Sequence, residues 1–125
     1  MSEPAPAPSP GAESSSEALA RRLAAIADAK QATDLAALDV GRLVGYTDYL
    51  VICTARNERL AKAIHDDVYH AMKREGRLPA RAEGVREAQW ILLDYLDCVL
   101  HILTPELRDR YRLEQLWGEA ERLEL

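Results

Sequence analysis

The stretch from Trp90 to Leu103, WILLDYLDCVLHIL, constrains the fold more than any other part of the chain. Two apolar runs flank Asp94-Tyr95-Leu96-Asp97, a connection too short for anything but a tight reversal, so the expectation is a β-hairpin with Tyr95 and Leu96 at its tip. Its strands run from Gln89 to Leu93 and from Cys98 to Leu103. In that register Leu93 faces Cys98, Leu92 faces Val99, Ile91 faces Leu100 and Trp90 faces His101. Side chains alternate along a strand, so two faces separate. One carries Ile91, Leu93, Cys98, Leu100 and Ile102 and has to be covered by helices. The other carries Trp90, Leu92, Asp94, Asp97, Val99 and His101, an apolar centre with ionisable margins. It reads either as a recognition surface or as a second core face with a satisfied histidine, because Trp serves anchors and cores by the same physics.

The rest of the chain supplies the cover. At 125 residues there is room for one domain of ordinary size. Residues 1–16 carry Pro4, Pro6, Pro8 and Pro10 with no aliphatic side chain larger than Ala, too little apolar surface to offset ordering, so a disordered tail is expected there. The domain is expected over residues 17–125. Ser14 and Glu17 have capping-box spacing, and Leu19, Leu23, Ile26 and Ala27 recur on one helical face as far as about Ala29. Leu35 to Val40 and Tyr49 to Thr54 read as strands on either side of a loop bracketed by Gly41 and Gly45. From Asn57 the period becomes helical, with Leu60, Ile64, Val68 and Met72 on one face until Gly76 stops it. The segment from Gly76 to Glu87 is loop chemistry. Thr104-Pro105-Glu106 opens a last helix. The order is αββαββα, an α/β layered fold.

Sixteen Lys and Arg against 21 Asp and Glu give a formal charge of -5, so the chain lacks the net positive field of generic nucleic-acid binders, and a basic partner is favoured. Cys53 and Cys98 sit in apolar runs without CxxC or Cys/His spacing and read as reduced core thiols. No apolar run approaches the roughly 20 residues of a membrane span, and the N-terminus lacks a secretory or transit pattern, which makes the cytoplasm the expected compartment. Phosphate-loop, dinucleotide, nucleophile-elbow and HExxH motifs are absent. Asp94, Asp97 and His101 share a face and could ligate a divalent cation, but acidic residues at a turn more often bond their own backbone. His65 and His70 read as exposed helical histidines. The basic series Lys73, Arg74, Arg77, Arg81 and Arg86 is interrupted by acids and reads as a solvated face.

Several segments together carry a family resemblance. They are Leu38-Asp39-Val40, Thr47 to Thr54, Arg59 with Ile64 and Asp66, and Glu83-Gly84. The series continues with Trp90 to Asp94, Asp97, Val99 and His101, then Arg108, Tyr111, Leu113-Glu114 and Leu116-Trp117. From Asp34 to Trp117 the chain resembles the ribosomal silencing factor family, also called Iojap. The resemblance implies a mixed β-sheet flanked by helices, related to the nucleotidyltransferase architecture but without its catalytic motif. It implies a factor without enzymatic activity or cofactor that docks on the large ribosomal subunit, chiefly on ribosomal protein L-fourteen, and blocks joining of the small subunit when nutrients are short. Members can also pair as homodimers. The expected docking residues are Trp90, Leu92, Asp94, Asp97 and His101, with Glu83 beside them. Tyr111 and Trp117 are assigned mainly to packing of the last helix. A metal-dependent nucleotidyltransferase-like enzyme using Asp94, Asp97 or Asp39 is the alternative. Leu96 stands where relatives commonly carry Gly, at a turn position that favours positive φ, and Ala55 and Leu60 likewise replace a common Gly and a common polar residue.

Overall fold

The computed structural model describes residues 15–125, so the expectation of a disordered tail falls, for residues 1–14, outside the described residues. Six strands form one sheet in the order β3-β4-β5-β2-β1-β6. They are β1 (Thr33–Asp39), β2 (Tyr49–Thr54), β3 (Arg81–Glu83), β4 (Trp90–Asp94), β5 (Cys98–Leu103) and β6 (Glu121–Leu123). β2 and β5 are parallel and every other neighbouring pair is antiparallel, so the sheet is mixed. Every residue of β2 and β5 is buried, as expected of central strands covered on both sides.

Two long helices, α1 (Ser15–Ala29) and α3 (Glu58–Arg74), seal one face. α1 contributes Leu19, Leu23 and Ile26, α3 contributes Ile64, Val68 and Met72, and the sheet meets them with Val51, Cys53, Ile91, Leu93, Leu100 and Ile102. The ends of α3 follow from its sequence. The Asn57 side chain accepts the Leu60 N–H at 2.8 Å, and beyond Arg74 Gly76 adopts φ +82° while Gly76 and Arg77 donate to Lys73 and Met72. Those two bonds close a Schellman motif, which needs a left-handed residue and takes Gly without strain. Cys53 and Cys98 are both buried and free, as their apolar surroundings predict, and burial raises both thiols to about 12.

The opposite face is covered by shorter pieces: α2 (Gly41–Val44), α4 (Pro105–Tyr111) and α5 (Leu113–Leu116). Leu38, Val40, Leu50, Ile52, Val99, Leu103 and Leu113 are buried there, with Val44, Leu107 and Trp117 packed at the edges.

Four expectations need correction. The hairpin ladder pairs Leu93 with Leu100, Leu92 with His101, Ile91 with Ile102 and Trp90 with Leu103, two residues away from the expected register. Tyr95 is the cause: it is buried on the α1–α3 side and its N–H bonds the Cys98 carbonyl, so the ladder continues through Tyr95 and the tip is Leu96-Asp97. A shift of two preserves the facing of every ladder residue, so the two faces stand as expected. Residues 81–83, expected as loop, form the edge strand β3 against β4. Part of the expected loop after Val40 is the single turn α2. The last helix is broken at Arg112, which has φ +42°, and the chain then returns as β6 to pair with β1. Arg108 holds the break together: it bonds both Glu114 oxygens, at 2.8 and 2.9 Å, and reaches the Thr54 hydroxyl and the Asp34 carbonyl.

Candidate functional site

The second face of the sheet is closed over β1, β2 and β5 but only half closed over β4. Val99, His101 and Leu103 on β5 are buried, whereas Trp90 and Leu92 on β4 are only partly buried. The cover on this side is shorter, seven residues in α4 and four in α5 against 15 and 17 in α1 and α3, and it shields β4 only in part. Trp90 and Leu92 therefore form an apolar floor at the rim of a core.

His101 lies beneath that floor. The Trp90 indole N–H donates to His101 Nδ1 at 3.0 Å, an arrangement that requires the unprotonated ring nitrogen. Burial lowers the imidazole pKa to about 4, so His101 is neutral at physiological pH and serves as a fixed acceptor that orients Trp90. Tyr111, at the end of α4, leans on the indole with ring centroids 5.0 Å apart and an interplanar angle of 49°, a tilted aromatic contact. It remains 51% exposed, so this ring extends the apolar surface outward. The sequence assigns Tyr111 mainly to packing of the last helix; its place at the end of α4 sets it beside Trp90.

The margins of the patch are charged. Glu83 is exposed on β3 directly opposite Leu92, so the two share a face. Asp94 lies opposite Arg81 with 3.8 Å between their charged groups, and one of its oxygens accepts the Leu96 N–H at 2.8 Å, bracing the hairpin tip. Gly84 turns the chain between β3 and β4 at φ +74°, where an added Cβ would collide with the Trp90 carbonyl oxygen. No other residue lets Glu83 approach the patch this way. Asp97 is placed differently from expectation. As a tip residue it pairs with Arg77, just past α3, at 3.3 Å, away from the ladder that carries Trp90. Asp94, Asp97 and His101 thus do not converge, which removes the cation site considered from their spacing. Among the described residues no group of three or more His, Cys, Asp or Glu is arranged to hold a metal ion.

Fold and site together define a class: a small mixed-sheet α/β protein, sealed by long helices on one face and carrying an aromatic patch with charged margins at the open edge of the other. The family model described as "Ribosomal silencing factor during starvation" matches residues 13–125, and the chain belongs to this family. It is 35% identical over 97 residues to the ribosomal silencing factor of Bacillus subtilis, covering 78% of this chain and 82% of that protein. It is 34% identical over 122 residues to the chloroplastic Iojap protein of Zea mays, covering 96% of this chain and 53% of that one. A crystal structure of a Bacillus halodurans protein superposes with a TM-score of 0.77 at 29% identity, over 86% of this chain and 98% of that one. One from Chromobacterium violaceum gives 0.76 at 28%, over 81% and 85%. Among the described residues no helix is long and apolar enough to cross a membrane.

Proposed function

We propose that this protein silences translation by occupancy: it docks on the large ribosomal subunit, chiefly on ribosomal protein L-fourteen, and keeps the small subunit from joining when nutrients are limiting. The observation that carries the reading is the half-open patch of Trp90, Leu92 and Tyr111, an apolar centre rimmed by Glu83 and Asp94. Protein interfaces combine an apolar core with a polar rim, and hot spots favour Trp and Tyr held in place by neighbours. A formal charge of -5 complements a basic ribosomal-protein surface and speeds encounter with it. Such a mechanism needs contact geometry and no bond-making chemistry. The protein acts in the cytoplasm, and when free it can pair with a second copy.

Tyr111→Ala leaves the His101–Trp90 bond in place and is the clean test. Docking should weaken about tenfold or more, on the order of 1.5 kcal/mol, and Trp90→Ala should cost about 2 to 4 kcal/mol. Sedimentation with purified large subunits measures both, with folding checked by circular dichroism. Wild-type co-sedimentation by both folded variants would remove this patch from the interface.

A further inference from the structure

β2 and β5 are parallel neighbours, and the chain leaves their carboxyl ends in opposite directions. After β2 it enters α3 on the sealed face, and after β5 it enters α4 on the other. Such a divergence opens a crevice beyond the strand ends, the place where open α/β sheets bind ligands. On the α4 side of that divergence, walled by the start of β1, the end of β2, α4 and β6, lies a cavity of about 700 Å³. That volume lies within the range of small-molecule sites.

Four arginines from separate parts of the chain line it: Arg56 after β2, Arg108 in α4, Arg112 at the helix break and Arg122 in β6. Asp34, Asp109 and Glu114 line it as well, so the lining carries a formal charge of +1 in a chain whose net charge is -5. Their engagement is uneven. Arg108 is saturated by Glu114, Thr54 and the Asp34 carbonyl, and forms a rigid wall. Glu114 is spent on that contact: its carboxyl is held below the ordinary range mainly by the hydrogen bond from Arg108, with a lesser pull from Arg122. Arg56 meets only the Gln31 amide oxygen, at 3.3 Å, and Arg112 donates from Nε to the Asp109 carbonyl at 3.1 Å and has the Asp109 carboxylate at 3.9 Å, with both side chains well exposed. Arg122 has no ion pair among the described residues. The guanidinium groups of Arg56, Arg112 and Arg122 thus line a concave space without a close ion pair, beside the carboxylates of Asp34 and Asp109. Planar forks of this kind match phosphate oxygens two at a time. No aromatic side chain lines the cavity, so the chemistry reads phosphate and offers no stacking platform for a base.

We propose that this crevice is an anion site that grips the phosphate chain of a nucleotide-sized ligand with Arg56, Arg112 and Arg122 against the fixed Arg108 wall. It is separate from the Trp90 patch and stands whether or not that patch docks on the ribosome. A free polyphosphate or nucleotide and an RNA backbone share this chemistry, and the probes tell them apart. Isothermal titration of the full chain with inorganic tripolyphosphate, with ATP, and with a single-stranded RNA of twelve nucleotides provides the three arms. Tripolyphosphate and ATP should bind one site, and Arg56→Ala/Arg122→Ala should weaken both at least tenfold. The control pair Arg81→Ala/Arg86→Ala should change them less than twofold. Both targeted side chains are exposed, and the single variant Arg122→Gln serves if the double variant does not fold. Binding by RNA alone, lost in the same variant, supports the site and names RNA as the phosphate source. No binding of any probe to the wild type, or equal weakening by both pairs, overturns it. Sedimentation of the same variants with large subunits in the absence of probe reads docking independently.

Discussion

The two faces of the sheet carry the same alternation of side chains yet end differently. Under α1 and α3 the inward side chains of β4, Ile91 and Leu93, are buried, while on the opposite face of the same strand Trp90 and Leu92 are only partly buried. The strand is identical; the cover differs. Helices of 15 and 17 residues span the sheet on one side, and pieces of seven and four residues stop short on the other. Part of this face stays open because its cover is shorter, with no change in the pattern of the strand itself.

The largest expected effect separates the faces directly. Leu100→Ala, in the sealed face, should destabilise the fold by about 3 kcal/mol, because a cavity forms where neighbours cannot collapse. Leu92→Ala on the open face should cost only about 1 kcal/mol, as part of its surface is already in water. Denaturant titration measures both, and equal losses would mean that the open face is as tightly packed as the closed one.

His101 sharpens the comparison through pH. Its imidazole titrates near 4 when folded against 6.5 as the ordinary value, so the unfolded chain binds the extra proton first as pH falls. This contribution to stability is complete above about pH 6.5 and is lost progressively down to about pH 4; between pH 7 and 5 the loss is about 2 kcal/mol. Unfolding free energies at the two pH values should show it, and His101→Gln should flatten that part of the profile. A wild-type profile flat over this range would place His101 in contact with solvent.

The smallest effect lies at the hairpin tip. Leu96 has φ +72°, with the Asp97 N–H donating to the Tyr95 carbonyl across it, a turn that a side chain enters only with strain. Leu96→Gly relieves that strain but gives the unfolded chain more freedom, so a net stabilisation of up to about 1 kcal/mol is expected, read as a small rise in melting temperature. Large-subunit docking should stay unchanged, since the tip lies beyond the Trp90 patch.

Much of the fold was legible because its signals are local. The Asn57 cap, the Gly76 stop and the apolar period of α3 are all written within one helix, and β2 and β5 are read from runs of β-formers. The hairpin faces survived a register error because the slip was two residues, whereas one would have exchanged them. β3 and β6 escaped notice for a common reason: each is three residues long, polar and at an edge, so its identity rests on a neighbour's hydrogen bonds. Of the site, Trp90, Leu92, Asp94 and Glu83 were visible from alternation and family likeness. Tyr111 was not, since it reads mainly as packing of the last helix, and its contact with Trp90 joins that helix to a strand distant in sequence.

By itself the sequence determined which segments become strands or long helices and which side chains share a face, because capping, hydrophobic period and alternation act over a few neighbouring residues. Only the tertiary structure decided which face stays open and what gathers at its edges. Those outcomes depend on contacts between distant segments: Arg108 joining Glu114 to Thr54 and Asp34, β6 returning to β1, and Trp90 meeting His101 across the hairpin.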